Sequence, residues 1–328
     1  MDLLTLSEAA ARGGVSEFTI RRRIKDGTLR QHRDGKRIHV YEEDVERLFP
    51  TPPPPPPPPE PKPCRVIAVA NQKGGVGKTS TCANLAAALA GRGLRVLAVD
   101  CDPQGNLTQS FGPDPDSLEY SLYDVLVGQL PLNKAIQSPV LGYPTLALVG
   151  ANLELSGADL ALGGAISRET LLRDSLAPSL AEYDFVFIDC PPALGLLTLN
   201  ALSAAHEIIV PVEMGVFSLR GVAKLLDTIA AVRRINPSLR RVRALSNRTD
   251  NTKLSGDVQD ELRRSFGTEL FQTTIRRSVK VGEAQASRAP ITVYRPSDPA
   301  AKDYLALAAE VLGENTSPAL SQEAAHGA

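Results

Sequence analysis

Residues 73–80 read Lys-Gly-Gly-Val-Gly-Lys-Thr-Ser, and this run constrains the chain more than any other. An apolar, β-branched stretch, Arg65-Val-Ile-Ala-Val-Ala70, precedes it, and Thr81 to Ala90 reads as a helix beyond it. Strand, glycine-rich turn and helix together are the context of a phosphate-binding loop. Gly74, Gly75 and Gly77, with Val76 among them, let the backbone wrap an anion with its N–H groups turned inward. The helix that starts there directs its positive end at the same anion. Lys78 is placed to reach the β and γ phosphates, and the hydroxyl of Thr79, followed by Ser80, to ligate Mg²⁺. The expected ligands are therefore ATP and Mg²⁺. The general pattern opens with glycine, whereas this loop opens with Lys73, a second cation able to cancel charge on a transferring phosphoryl group.

A chain of 328 residues, 43% of them hydrophobic, is long enough for about two domains. Its formal charge of −1 decides nothing until it is resolved by region. The cysteines, Cys64, Cys82, Cys101 and Cys190, are widely spaced, with no Cys-x-x-Cys. That argues against structural zinc and a disulfide framework and fits a reducing, cytoplasmic setting. No apolar run approaches a membrane span, and the first residues lack a basic stretch followed by an apolar core, so neither membrane insertion nor a signal peptide is expected.

Eleven of the fourteen residues from Pro50 to Pro63 are proline, which reads as a stiff linker. In polyproline II geometry, at ~3.1 Å per residue, it would span roughly 40 Å. Residues 1–49 upstream suggest a small module. Ser7 is placed to cap a helix over Glu8–Arg12 and Ser16 one over Glu17–Lys25, across a Gly13-Gly14 turn. A hairpin follows, turning at Asp34-Gly35, and then a last helix from Glu42 to Phe49. This is the layout of a winged helix-turn-helix and resembles the MerR/excisionase-like modules. From Arg21 to Arg37 there are eight Lys and Arg against two acids. Arg21, Arg22 and Arg23 on the second helix, with Arg33, Lys36 and Arg37 on the hairpin, are candidates for DNA contact.

Downstream, over 64–313, apolar runs alternate with helical patterns. Strands are expected at 65–70, 95–100, 145–149, 184–189, 207–212 and 241–246. Helices are expected near 78–91, 168–181, 217–235, 253–267 and 299–312. The alternation predicts an α/β fold, a P-loop NTPase with a mostly parallel sheet covered by helices on both faces. The small, polar residues of 314–328 read as a disordered tail.

Two further strands end in acids. Arg95-Val-Leu-Ala-Val-Asp100-Cys-Asp102 delivers a pair, of which one can help hold Mg²⁺ while the other orients an attacking water. Asp184-Phe-Val-Phe-Ile-Asp189 has the Walker B form, with Asp189 in or beside the Mg²⁺ shell.

Lys73 to Ser80, Asp100-Cys-Asp-Pro-Gln-Gly-Asn106 and Ile188-Asp-Cys-Pro-Pro-Ala-Leu-Gly-Leu-Leu-Thr-Leu-Asn200 resemble the deviant-Walker ATPases of the ParA/MinD family, and most of all the ParA/Soj partition ATPases. The resemblance implies an ATP-sandwich homodimer in which Lys73 reaches the partner's phosphates and Asp102 is the hydrolytic aspartate. It also implies nonspecific DNA binding by that dimer, stimulation of hydrolysis by a ParB-like centromere-binding protein, and a nucleoid-associated location. From Arg233 to Arg295 there are fourteen Lys and Arg against six acids, which independently suits phosphate contacts. Arg248 and Arg277 match positions where family members carry DNA-contacting arginines, and Lys280 lies in the same basic run. Arg220, Arg276 and Gly282 depart from the family's usual glutamate, proline and serine.

The leading expectation is thus an ATP-switched partition ATPase for a chromosome or plasmid. The alternative is a nucleotide-responsive transcriptional repressor whose N-terminal module reads an operator. A MinD-like membrane role would need a basic amphipathic helix at the C-terminus, and residues 317–328 contain no Lys or Arg.

Overall fold

The computed structural model describes residues 2–35, 37–49, 63–215, 218–250 and 252–314. Nearly all of the proline-rich stretch, all but Glu314 of the tail, and the DNA-contact candidate Lys36 lie outside the described residues. The chain divides into two compact units, Met1–Pro61 and Lys62–Ala328.

The first unit begins with a strand the periodicity does not reveal, β1 (Leu3–Thr5). Helices Leu6–Arg12 and Glu17–Lys25 follow, then the hairpin strands β2 (Gln31–Asp34) and β3 (Arg37–Tyr41), and the helix Glu42–Leu48. The strands form an antiparallel sheet in the order β1-β3-β2. The first helix is capped by Thr5, not Ser7. Thr5 Oγ1 accepts from the Glu8 N–H at 3.3 Å while the Glu8 carboxylate accepts from the Thr5 N–H at 2.8 Å. Ser7 cannot form this reciprocal box, because the residue three places on is Ala10. Ser16 caps the second helix as expected. The hairpin turn also shifts by one residue. Asp34 pairs with Arg37 as the last residue of its strand, so the turn begins after it, with Gly35 at φ 59°. Leu6, Ala9, Ile20, Leu29, Val40 and Val45 form a small apolar core inside this unit.

The second unit is built on eight strands: β4 (Arg65–Val69), β5 (Val96–Asp100), β6 (Ile136–Gln137), β7 (Leu146–Val149), β8 (Phe185–Asp189), β9 (Glu207–Glu213), β10 (Arg241–Thr249) and β11 (Ile275–Arg276). Their order is β11-β10-β9-β4-β8-β5-β7-β6. Every neighbouring pair is parallel except β6 with β7. The six longer strands are those read from the sequence; β6 and β11 are two-residue additions at the edges.

The central strands are buried on both faces. Along β4, Val66 and Ala68 enter one apolar layer and Ile67 and Val69 the other. Along β8, Val186 and Ile188 divide from Phe185 and Phe187 in the same way. Each such side chain contributes about 1.5–3 kcal/mol by leaving water. The helix Lys78–Ala90 has twelve of its thirteen residues buried, and its run of alanines lets it pack against the helix Pro299–Leu312 and the sheet. The expected helix at 168–181 is α-helical only over Leu171–Leu176 and continues as 3₁₀ to Glu182. Pro178 has no N–H to donate to Asp174, which ends the regular turn. The helix Leu196–Ala204 escapes sequence reading because it is apolar all round, with no stripe for the periodicity to show.

Candidate functional site

The loop after β4 is pinned at both ends. Asn71 is buried, donates to the Pro211 carbonyl at 2.7 Å and accepts from the Lys73 N–H at 3.1 Å. Gly75 and Gly77 take φ 75° and 90°, values that L side chains rarely adopt. At Gly77 there is also no room, since a Cβ would strike the side-chain amide of Asn247. That amide donates to the Val76 carbonyl at 2.6 Å and ties the loop to the end of β10.

Lys78 is buried, and its Nζ donates to the Lys73 carbonyl at 3.3 Å. Burial pulls its pKa down, and the nearby Asp189 carboxylate opposes that shift. Thr79 Oγ1 donates to Asp189 Oδ2 at 2.6 Å. Ser80 Oγ accepts from Gln285 Nε2 at 3.1 Å.

Asp100 and Asp189 are register partners at the carboxyl ends of β5 and β8, and both are fully buried. Asp100 is committed to its own loop. Its Oδ2 accepts from the Thr108 N–H at 2.9 Å and hydroxyl at 2.8 Å, and its Oδ1 from the Asp102 N–H at 3.1 Å. Burial nevertheless pushes its carboxyl up to about 7, against those hydrogen bonds. Asp189 is raised well above the usual carboxylate range, by burial first and by Asp100 second. Its Oδ1 is buried without a hydrogen-bond partner. A buried carboxylate oxygen with nothing to bind, beside a hydroxyl and a second acid, is a hard-oxygen site suited to Mg²⁺. Among the described residues no group of three or more His, Cys, Asp or Glu could hold a metal by itself. Mg²⁺ is commonly held by one or two carboxylates together with substrate phosphates and water. Asp102 is buried like Lys78, with Oδ1 accepting from the Gln104 N–H at 3.0 Å.

Lys73 does not point into solvent. Its Nζ lies 2.8 Å from Glu213 Oε2 at the end of β9. Glu213 Oε1 in turn lies 3.3 Å from Arg248 Nη1. Asn71, Glu213, Asn247 and Gln285 escaped the reading of the motifs. The signal for Glu213 and Asn247 was their position, since they stand near the carboxyl ends of β9, which neighbours the loop strand, and of β10, the next strand out.

The candidate DNA contacts fall in both units. On the helix Glu17–Lys25, Arg21 and Arg23 are exposed and lie 3.7 Å from Glu17 and 3.7 Å from Asp26. Arg22 on that helix and Arg33 and Arg37 on the hairpin are exposed, with no acidic partner among the described residues. In the second unit, Arg248 pairs with Glu213, and Lys280 pairs with Glu283 at 2.7 Å. Arg277 is exposed with no ion pair among the described residues, while its neighbour Arg276 is held by Asp303 at 2.7 Å. No helix among the described residues is long and apolar enough to cross a membrane.

Residues 64–241 match a family model described as an AAA domain. The chain is 38% identical over 254 residues to the chromosome partitioning protein ParA of Myxococcus xanthus, covering 77% of this chain and 89% of that protein. It is 39% identical over 249 residues to the sporulation initiation inhibitor protein Soj of Bacillus subtilis, covering 75% of this chain and 98% of that protein. Among solved structures, cobyrinic acid a,c-diamide synthase from Mycobacterium smegmatis with bound ADP and magnesium superposes with a TM-score of 0.66 at 37% identity. The match covers 76% of this chain and 94% of that one.

Proposed function

This chain belongs to the ParA/Soj family of P-loop partition ATPases, and from that premise we propose that it couples an ATP-driven dimer cycle to DNA binding. The observation that carries the proposal is the Thr79–Asp189 pair, with Asp189 Oδ1 buried and unpartnered directly beside the phosphate loop.

The N–H groups of Gly74 to Ser80 and the ammonium of Lys78 would hold a triphosphate. Thr79 and Asp189 would hold Mg²⁺, with Asp100 behind them as a buried second acid tied to Thr108. Bound there, Mg²⁺ would neutralise charge on the β and γ oxygens. Asp102 would orient the attacking water. Lys73 would serve the phosphates of a second copy across an ATP-sandwich dimer. Arg248, Arg277 and Lys280 would contact DNA phosphates without sequence preference, and a ParB-like protein would stimulate hydrolysis and release. Such a cycle would place the protein on the nucleoid in the cytoplasm.

Residues 1–49 would form a second DNA-binding module. The observation that favours it is the exposure of Arg22, Arg33 and Arg37 without acidic partners among the described residues. This keeps the repressor reading in view, with the module recognising an operator while the ATPase domain reports nucleotide state.

Asp102→Ala tests the assignment of chemistry. ATP-dependent dimers should still form by sedimentation, while steady-state phosphate release falls by about 10² or more. Normal turnover in this variant would remove Asp102 from the mechanism.

A further inference from the structure

The ends of three adjoining strands, β10, β9 and β4, bring together one acid and two cations from distant parts of the chain. Glu213 uses both carboxylate oxygens, Oε2 on Lys73 Nζ at 2.8 Å and Oε1 on Arg248 Nη1 at 3.3 Å. All three side chains are only partly covered, at 27% exposure for Glu213, 37% for Lys73 and 51% for Arg248. Phosphate oxygens could therefore reach both cations.

Arg248 is held there deliberately. It takes φ 54°, a left-handed value unusual for arginine, at a register shift between β10 and β11. Its own N–H donates to Asn247 Oδ1 at 2.9 Å, and Asn247 also grips the loop at the Val76 carbonyl. Burial alone would raise the carboxyl of Glu213, yet it lies below the usual value because Lys73, and then Arg248, donate to it.

A carboxylate that bridges two cations occupies the place a phosphate oxygen would take. We propose that Glu213 is a positioning residue that stands in for phosphate, holding Lys73 and Arg248 until nucleotide and DNA displace it. This rests on the reading of Lys73 as a nucleotide contact and of Arg248 as a DNA contact. Without an anion, the single charge of Glu213 offsets part of the charge on both cations and so raises the threshold for both ligands. When Lys73 moves to a phosphate, Glu213 is left with Arg248 as its one partner, and DNA phosphate competes with that remaining pair.

The test uses the full chain in four forms: wild type, Glu213→Gln, Glu213→Asp and the double variant Glu213→Gln with Arg248→Ala. Binding of random-sequence duplex DNA is measured without nucleotide across a salt series. Dimer formation is measured by sedimentation against ATP concentration. Glu213→Gln should tighten nucleotide-free DNA binding roughly fivefold, the scale of one partly exposed ion pair. Its salt slope should steepen by about one per contacting subunit. It should also reach half-dimerisation at several-fold lower ATP. The added Arg248→Ala should erase the DNA gain and leave the dimerisation gain. Glu213→Asp, which keeps the charge, should move both readouts back toward wild type. If Glu213→Gln melts like wild type and shifts neither readout, the proposal is overturned. A wild type that neither binds DNA nor dimerises with ATP would instead overturn the partition reading beneath it.

Discussion

The two basic regions of this chain look alike in sequence and differ in structure. From Arg21 to Arg37 eight cations face two acids, and from Arg233 to Arg295 fourteen face six. In the first region, Arg22, Arg33 and Arg37 stand without acidic partners among the described residues. In the second, most cations are engaged, often by acids far away in sequence: Arg243 with Glu310, Arg276 with Asp303, Arg288 with Asp114 and Arg248 with Glu213. A local surplus of charge is therefore not the same as charge available to a polyanion. In the first region Arg21, Arg23 and Arg30 are engaged by acids, but Arg22, Arg33 and Arg37 are left over among the described residues. In the second, Arg248 shares an acid with the nucleotide loop.

If that contrast is right, nucleotide should act on the second region alone. The largest effect is expected from Lys78→Ala, which should reduce ATP affinity by about 10² or more, the scale of losing a desolvated charge contact to phosphate. DNA binding by this variant should become indifferent to nucleotide while the N-terminal contribution persists. Unchanged ATP affinity by calorimetry would break the loop assignment. Deleting residues 1–63 comes next. The remaining ATPase unit should retain ATP-dependent, nonspecific DNA binding, whereas loss of all DNA binding would favour the repressor reading. A smaller effect is expected of Arg277→Ala, which should lower the salt slope of DNA binding with ATP by about one per contacting subunit. An unaltered slope would take Arg277 off the DNA surface.

The smallest effect concerns pH. Asp100 is raised to about 7 and Asp189 is raised with it, so in the nucleotide-free fold these buried acids hold protons that the unfolded chain has already lost. Such groups contribute stability fully at low pH, and that contribution is lost as pH rises through their folded values. Thermal stability without Mg²⁺ should therefore fall as pH rises from about 4, the unfolded aspartate value, through about 7, the folded value of Asp100. Added Mg²⁺ should restore it most at the upper end. A flat profile would show that the two acids are not a shared proton site.

The nucleotide site was legible in the sequence because its chemistry dictates residue type and spacing over short stretches. Lys73 to Ser80 reads as one loop, and Asp100 and Asp189 each end a recognisable apolar strand, with Asp102 two residues past the first. The six long strands were legible because burial on both faces leaves unbroken apolar runs. What stayed hidden depends on contacts across the fold. Glu213 lies 140 positions from Lys73 and has no motif around it; only the neighbouring ends of β4 and β9 bring the two together. Asp100 was read as a metal ligand from its place at a strand end, but its oxygens are engaged by Thr108 and Asp102, which only tertiary structure reveals. The cap at Thr5 and the turn at Gly35 were each missed by one or two residues, where the alternatives differ by a single hydrogen-bonded pair.

The most direct test is binding of random-sequence duplex DNA by the full chain, with ATP and with ADP, across a salt series. Much tighter binding with ATP, with a steeper salt slope than with ADP, is the expected result for a second basic face presented by an ATP-bound dimer. Equal affinity and equal slope in the two states would contradict it and leave the N-terminal face as the only DNA-binding surface.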